Sequence, residues 1–269
     1  MSKIAKALKK AQEERGGQPL AEGLRKPEER ASAEPLGGTS KPSYKMTQVR
    51  ESSAEHMELN RILGSGSAQH VLDAFNILRA KILHSTRARN QNAIMVTSPR
   101  RGEGKTTVAT NLAISIARDA RQTALLVDAN MRWPAVAKTL GVCEGQEGGL
   151  EEVLNGDVEL PEVMVNPGID KLVVLPTCRS VHGSADLIAS PHMQQLVREM
   201  KSRYPDRYVV FDCPHILDMP DALVFSTYVD AVLLVVEDGR TTRADIKAAL
   251  EALGDANIMG IVLNRNVAA

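Results

Sequence analysis

Apolar residues along this chain gather into six short, nearly unbroken runs: Ile94–Thr97, Ala124–Asp128, Lys171–Leu175, Tyr208–Asp212, Ala231–Val236 and Ile258–Leu263. Because these runs do not alternate with polar residues, each strand must be covered on both faces. That predicts an α/β domain, a mostly parallel sheet wrapped by helices. Helical spacing fills the intervals at Lys105–Arg118, Met193–Arg203 and Arg243–Leu253. A further helix is predicted over Ala68–Ser85, with Val71, Leu72, Phe75, Leu78, Ile82 and Leu83 on one side. Right-handed crossovers then carry the C-terminal ends of the strands to one edge, where ligands bind in such sheets.

The residues before this pattern read differently. SKIAKALKKAQEER, residues 2–15, sets Ile4, Leu8 and Ala11 on one helical face among Lys3, Lys6, Lys9 and Lys10. It predicts a basic amphipathic helix over 1–16. Its small apolar face suits weak contact with an anionic membrane or docking on a partner, and equally a solvated, fraying helix. Residues 17–67 are rich in Pro, Gly, Ser, Glu and Lys and predict a flexible tether, disordered and partly helical, with a helical pattern in Val49–Leu63 and nothing resembling a core. The globular domain is expected over 68–269.

Composition narrows the partners. The 269 residues carry zero formal net charge and only 3% aromatics, so neither a basic field nor stacking platforms point to nucleic acid. Cys143, Cys178 and Cys213 are far apart and form no zinc spacing, as expected of reduced thiols in a cytoplasmic protein. No apolar run approaches the ~18 residues of a membrane span, and the N-terminus lacks the apolar core of a signal peptide.

Chemistry concentrates just after the first run. Ile94-Met95-Val96 leads into Arg101-Gly102-Glu103-Gly104-Lys105-Thr106-Thr107, and a helical pattern begins at once. Strand, glycine-bearing turn and helix are the setting of a phosphate-binding loop, although Pro99 stands where the full motif has its first glycine. Glycines let backbone N–H groups point at phosphate oxygens, and the helix start adds partial positive charge. Lys105 can reach β- and γ-phosphates, and the Thr106 hydroxyl can ligate Mg²⁺. Two further runs end in carboxylates at the same edge, Asp128 and Asp212. A carboxylate there needs a cationic partner, and ATP-bound Mg²⁺ is the natural one. Asp212 is the expected metal holder, with Asp128 placed to orient or deprotonate a nucleophile. Each alone also reads as an N-cap of the next helix.

From Ala68 to about Asn266 the chain resembles the bacterial tyrosine autokinases of capsule and exopolysaccharide synthesis, a branch of the P-loop superfamily that also holds the Min and Par ATPases. The resemblance rests on GEGKTT, on Val127-Asp128-Ala129-Asn130-Met131-Arg132, on Phe211-Asp212-Cys213-Pro214, and on the closing Gly260-Ile261-Val262-Leu263-Asn264. The opening SKIAKALKKA and the stretch around Leu187–Ser190 and Tyr204–Arg207 look most like the subgroup found beside exosortase operons.

The resemblance implies a cytoplasmic protein-tyrosine autokinase, held at the inner membrane face by a chain-length-determinant (polysaccharide co-polymerase) protein and assembling with its own copies. ATP and Mg²⁺ would sit on Gly102, Glu103, Gly104, Lys105, Thr106 and Thr107, with Asp128 and Asp212 framing the metal and the attacking hydroxyl, and Asn264 and Arg265 facing the base. By likeness to the Min and Par ATPases, Arg100 would complete a neighbour's site in trans.

Departures from the family pattern qualify this. Asn130 stands where the family has a second Asp, and loss of that charge-assisted contact would cost ~1.5–3 kcal/mol, roughly ten- to a hundred-fold in rate. Of the family's ring motif, only Arg79 is kept, beside Asp73 and Asn76. No tyrosine cluster follows the last strand, and Tyr44, Tyr204, Tyr208 and Tyr228 are scattered, so weakened kinase activity is expected. The alternatives are a nucleotide-gated ATPase adaptor for the co-polymerase and a Min/Par-like positioning ATPase gripping lipid through residues 2–15.

Overall fold

A computed structural model of the chain describes residues 47–142 and 148–265. The predicted helix over 1–16, most of the tether, Tyr44 and Cys143 lie outside the described residues.

In chain order the elements are β1 (Gln48–Val49), α1 (Ala54–Leu59), α2 (Gln69–Arg87), β2 (Ala93–Thr97), α3 (Lys105–Ala117), β3 (Thr123–Asp128), α4 (Val136–Leu140), α5 (Leu150–Asn155), α6 (Leu160–Val163), β4 (Val165–Asn166), β5 (Leu172–Leu175), α7 (Ser184–Ile188), α8 (Pro191–Ser202), β6 (Arg207–Asp212), α9 (Pro220–Ser226), β7 (Ala231–Glu237), α10 (Arg243–Leu253) and β8 (Ile258–Asn264). All six predicted strands are present, with ends shifted by a residue at most.

The eight strands form one sheet in the order β1-β4-β5-β3-β6-β2-β7-β8. Every pairing is parallel except β4 with β5. The reason the strands read as apolar throughout is now visible. Alternate residues go to opposite layers: Met95, Val127, Phe211 and Leu234 face one, while Ile94, Val96, Leu126 and Val210 face the other. The first layer is closed by α5, α8, α9 and α10, the second by α2, α3 and α4. At about 25 cal/mol per Å² of apolar surface removed from water, these two layers are the main source of stability.

Local chemistry fixes the helix ends. Ser190 accepts from the Met193 N–H and Pro191 opens α8. Thr242 and Asp245 form a reciprocal capping box on α10. Helix α3 is buried along eleven of its thirteen residues, since it lies across the middle of the sheet. Among the described residues no helix is long and apolar enough to cross a membrane.

The expected start of the domain at residue 68 requires correction. Residues 48–67, read as tether, supply an edge strand in register with β4 (Gln48 with Val165, Val49 with Asn166). They also supply two buried core side chains, Ile62 and Leu63. The segment is tied down by the buried Asn111 of α3, whose Oδ1 accepts from the Leu63 N–H at 2.8 Å and whose Nδ2 donates to the Arg61 carbonyl at 2.9 Å. Two adjacent apolar residues make no periodic signal, so composition could not reveal a contact made to a helix fifty positions away.

Candidate functional site

The site is built at the tips of the three central strands. β6 lies between β2 and β3, with Val96 beside Asp212 and Asp212 beside Asp128 in register. The loop after β2 therefore rises directly against both acids. Its entry is fixed by the Thr97 hydroxyl, which donates to the Pro214 carbonyl at 2.6 Å.

Gly102 and Gly104 both have φ of +90°, a conformation that suits glycine. At Gly104 the requirement is doubled, because a Cβ there would lie 2.0 Å from Asn264 Nδ2. That amide donates to the Glu103 carbonyl at 2.9 Å. The Glu103 carboxylate is buried and turned inward. One oxygen accepts from the Arg100 N–H at 2.8 Å, the other from the Thr241 hydroxyl at 2.5 Å. Glu103 and Asn264 thus buckle the loop to the ends of β7 and β8.

At the start of α3, Lys105 Nζ lies 3.6 Å from Asp212 Oδ1, and the Thr106 hydroxyl donates to Asp212 Oδ2 at 2.6 Å. Asp212 is fully buried, and its Oδ1 has no hydrogen-bond donor. Burial raises its pKa above the ordinary carboxylate value, against the pull of Lys105 and Thr106. Asp128 is equally buried. Its Oδ2 accepts from the N–H groups of Ala135 and Val136, both at 2.9 Å, and its Oδ1 from that of Asn130 at 3.2 Å. The N-cap of α4 is Ala135 rather than Asp128, which holds the start of that helix from across the loop. Burial first, and the neighbouring Asp212 second, push its pKa up to about 8. His215, buried beside this edge, is shifted down by burial.

A divalent cation fits this arrangement. Asp212 Oδ1 is a buried oxygen without a donor, the Thr106 hydroxyl is on the same carboxylate, and Asn130 Oδ1 is also buried and unpaired. Hard oxygen donors of this kind suit Mg²⁺.

Other expected site residues are placed differently. The Arg100 guanidinium pairs within its own chain with Asp245, at 2.8 Å, and lies 3.7 Å from Asp218. Arg265, expected at the base, has φ of +58° and turns to Glu237 at 2.7 Å. Asn264 remains at a cavity of about 510 Å³, which it lines with Thr107, Val108 and Asn111 of α3 and with residues of the Arg61–Ala68 loop. That loop carries no periodic pattern of its own, and the side chain that anchors it, the buried Asn111, sits on a distant helix.

Residues 91–252 match the family model described as AAA domain. Over 176 residues the chain is 32% identical to the tyrosine-protein kinase CpsD of Streptococcus pneumoniae serotype 4, covering 64% of this chain and 75% of that protein. The chain belongs to the P-loop ATPase superfamily that holds the bacterial tyrosine kinases and the Min and Par ATPases. Among solved structures, the VpsO kinase domain is similar with a TM-score of 0.64 and 27% identity, covering 74% of this chain and all of that one. The cell division ATPase MinD of Pyrococcus furiosus is similar at 0.55 and 26%, covering 66% of this chain and 74% of that one.

Proposed function

We propose that the protein is an ATP-dependent protein-tyrosine autokinase of exopolysaccharide or capsule biosynthesis, from the subgroup found beside exosortase operons. It works at the inner face of the membrane through a chain-length-determinant (polysaccharide co-polymerase) partner. The observation that carries the reading is the meeting of Lys105 and Thr106 with Asp212 and Asp128 at one sheet edge, in a chain whose relatives include tyrosine-protein kinases.

Each residue has a defined task. Backbone N–H groups around Gly102 and Gly104 cradle the phosphates, and Lys105 meets the charge between β and γ. Thr106 and Asp212 would hold Mg²⁺, which when bound would supply positive charge to the phosphates. The cavity beside Thr107 and Asn264 takes the nucleoside; its size falls in the usual range for small-ligand sites. In the transfer, the bond from the γ-phosphorus to its bridging oxygen breaks and ADP keeps the electron pair. The tyrosine oxygen forms the new bond, and its proton passes to Asp128 in its ionised form, which the positive charge of Lys105 favours.

Incubation with labelled ATP and Mg²⁺ tests this. Phosphotyrosine should form in the native protein and vanish in Lys105→Met.

One observation favours a second reading, a nucleotide-gated adaptor. Among the described tyrosines, Tyr208 is buried, Tyr228 packs against the core, and Tyr204 sits under the Arg207 guanidinium at the opposite edge of the sheet. None of them stands beside Asp128. Absent phosphotyrosine, together with ATP-dependent retention of a membrane partner, would establish the adaptor.

A further inference from the structure

Trp133, the only tryptophan of the chain, sits at the mouth of the site and belongs to neither apolar layer. It is 36% exposed. The loop that carries it is folded tightly over the Asp128 tip. Asn130 Nδ2 donates to the Trp133 carbonyl at 2.7 Å, the Trp133 N–H returns to the Asn130 carbonyl at 3.1 Å, and Asp128 accepts from the next two N–H groups but one. The Trp133 backbone is therefore pinned to the loop that Asp128 holds. From the other strand tip, His215 stacks against it at 5.8 Å and 27°.

From the phosphate loop, the Arg101 guanidinium lies 4.7 Å from the ring centroid, with Arg132 at 5.6 Å. Arg101 makes no ion pair among the described residues, so the ring is its main hold. A cation–π contact near the surface is weak, and a charge-assisted bond to a phosphate oxygen is stronger. A triphosphate in the loop would win the guanidinium and bare the ring.

We propose that Trp133 is the platform that seats the aromatic ring of the phosphoacceptor tyrosine, and that Arg101 covers it until a triphosphate fills the loop. The proposal rests on the kinase reading above. Offset stacking of a phenol on the indole favours tyrosine over serine or threonine. Nucleotide then binds before acceptor, because the loop arginine has to leave the platform first.

Two readouts test it. The emission of the lone Trp133 is followed during titration with Mg-ATP; it should shift in the native protein, while Arg101→Ala should start from a different emission and respond little. Phosphorylation of a Glu/Tyr copolymer is measured for Trp133→Leu and Trp133→Phe. Trp133→Leu keeps apolar bulk and should raise KM for the copolymer about five-fold, with the change in that KM rather than in KM for ATP. Trp133→Phe, which keeps a ring, should recover most of the loss. Emission indifferent to Mg-ATP, or a Trp133→Leu protein with native KM for the copolymer, overturns the platform while leaving the kinase standing. A native protein that forms no phosphotyrosine on itself or the copolymer overturns the kinase reading and the platform with it.

Discussion

Asp128 and Asp212 are register partners on adjacent parallel strands, and both carboxylates are fully buried. Two such groups cannot both ionise cheaply, and Asp128 carries the consequence with a pKa of about 8. Its folded value lies above the ordinary ~3.9. Its contribution to stability is therefore full below about pH 4 and is lost as pH rises through about 8. In chelator and without nucleotide, Asp128→Asn should flatten the fall in melting temperature between pH 5 and 8.5. The same variant should lower tyrosine phosphorylation by about a hundred-fold or more. A melting profile as steep as the native one would contradict the assignment.

Gly104→Ala should weaken nucleotide binding at least about ten-fold. The new Cβ collides with Asn264 Nδ2 and the residue must hold a positive φ, a strain of about 1–3 kcal/mol. Calorimetry with Mg-ADP reads this directly.

Asn111→Ala should separate base binding from phosphate binding. It strands the buried Leu63 N–H and the Arg61 carbonyl, at about 1–3 kcal/mol for each unsatisfied group. Urea unfolding should show the loss, and affinity for Mg-ATP should fall more than affinity for inorganic tripolyphosphate, because the loosened loop lines the nucleoside cavity.

Arg79→Ala should act on stability rather than on assembly. Its guanidinium donates to the Ser115 carbonyl at 2.7 Å and joins α2 to α3. About 1–2 kcal/mol of unfolding free energy should be lost, with the mass in light scattering unchanged. A change of mass would return Arg79 to the self-docking surface that the family resemblance implied.

Tyr208→Phe should leave the phosphotyrosine signal intact. The hydroxyl is 2.8 Å from Thr86 Oγ1 in the interior, so the change should cost about 1 kcal/mol of stability. A reduced signal by mass spectrometry would make Tyr208 an acceptor after all.

Residue type and short-range order made much of this protein legible. Lys105 was read as the first residue of its helix, and Asp128 and Asp212 as strand ends, because a buried strand and a glycine turn each declare themselves within a few positions. Asn264 was read as a base contact, yet its amide is also the clasp of the loop at Glu103. Arg265 was placed with it, and one left-handed residue turned it to Glu237 instead. The likeness to Min and Par ATPases sends Arg100 to a neighbour, while within its own chain it pairs with Asp245. Glu103 was counted as part of the cradle, while its side chain braces the loop from behind.

The sequence alone determined the elements, the covering of both sheet faces and the residue types at the strand tips. Those follow from side-chain period and backbone preference, which act over a few residues. Only the tertiary structure decided which side chains meet: Glu103 with Thr241, Arg79 with Ser115, Leu63 with Asn111, Trp133 between His215 and Arg101. Such contacts depend on strand order and on the path of each connecting loop. Hydrogen bonds and ring contacts extend only a few ångströms, so partners far apart in the chain become neighbours only once the sheet has assembled.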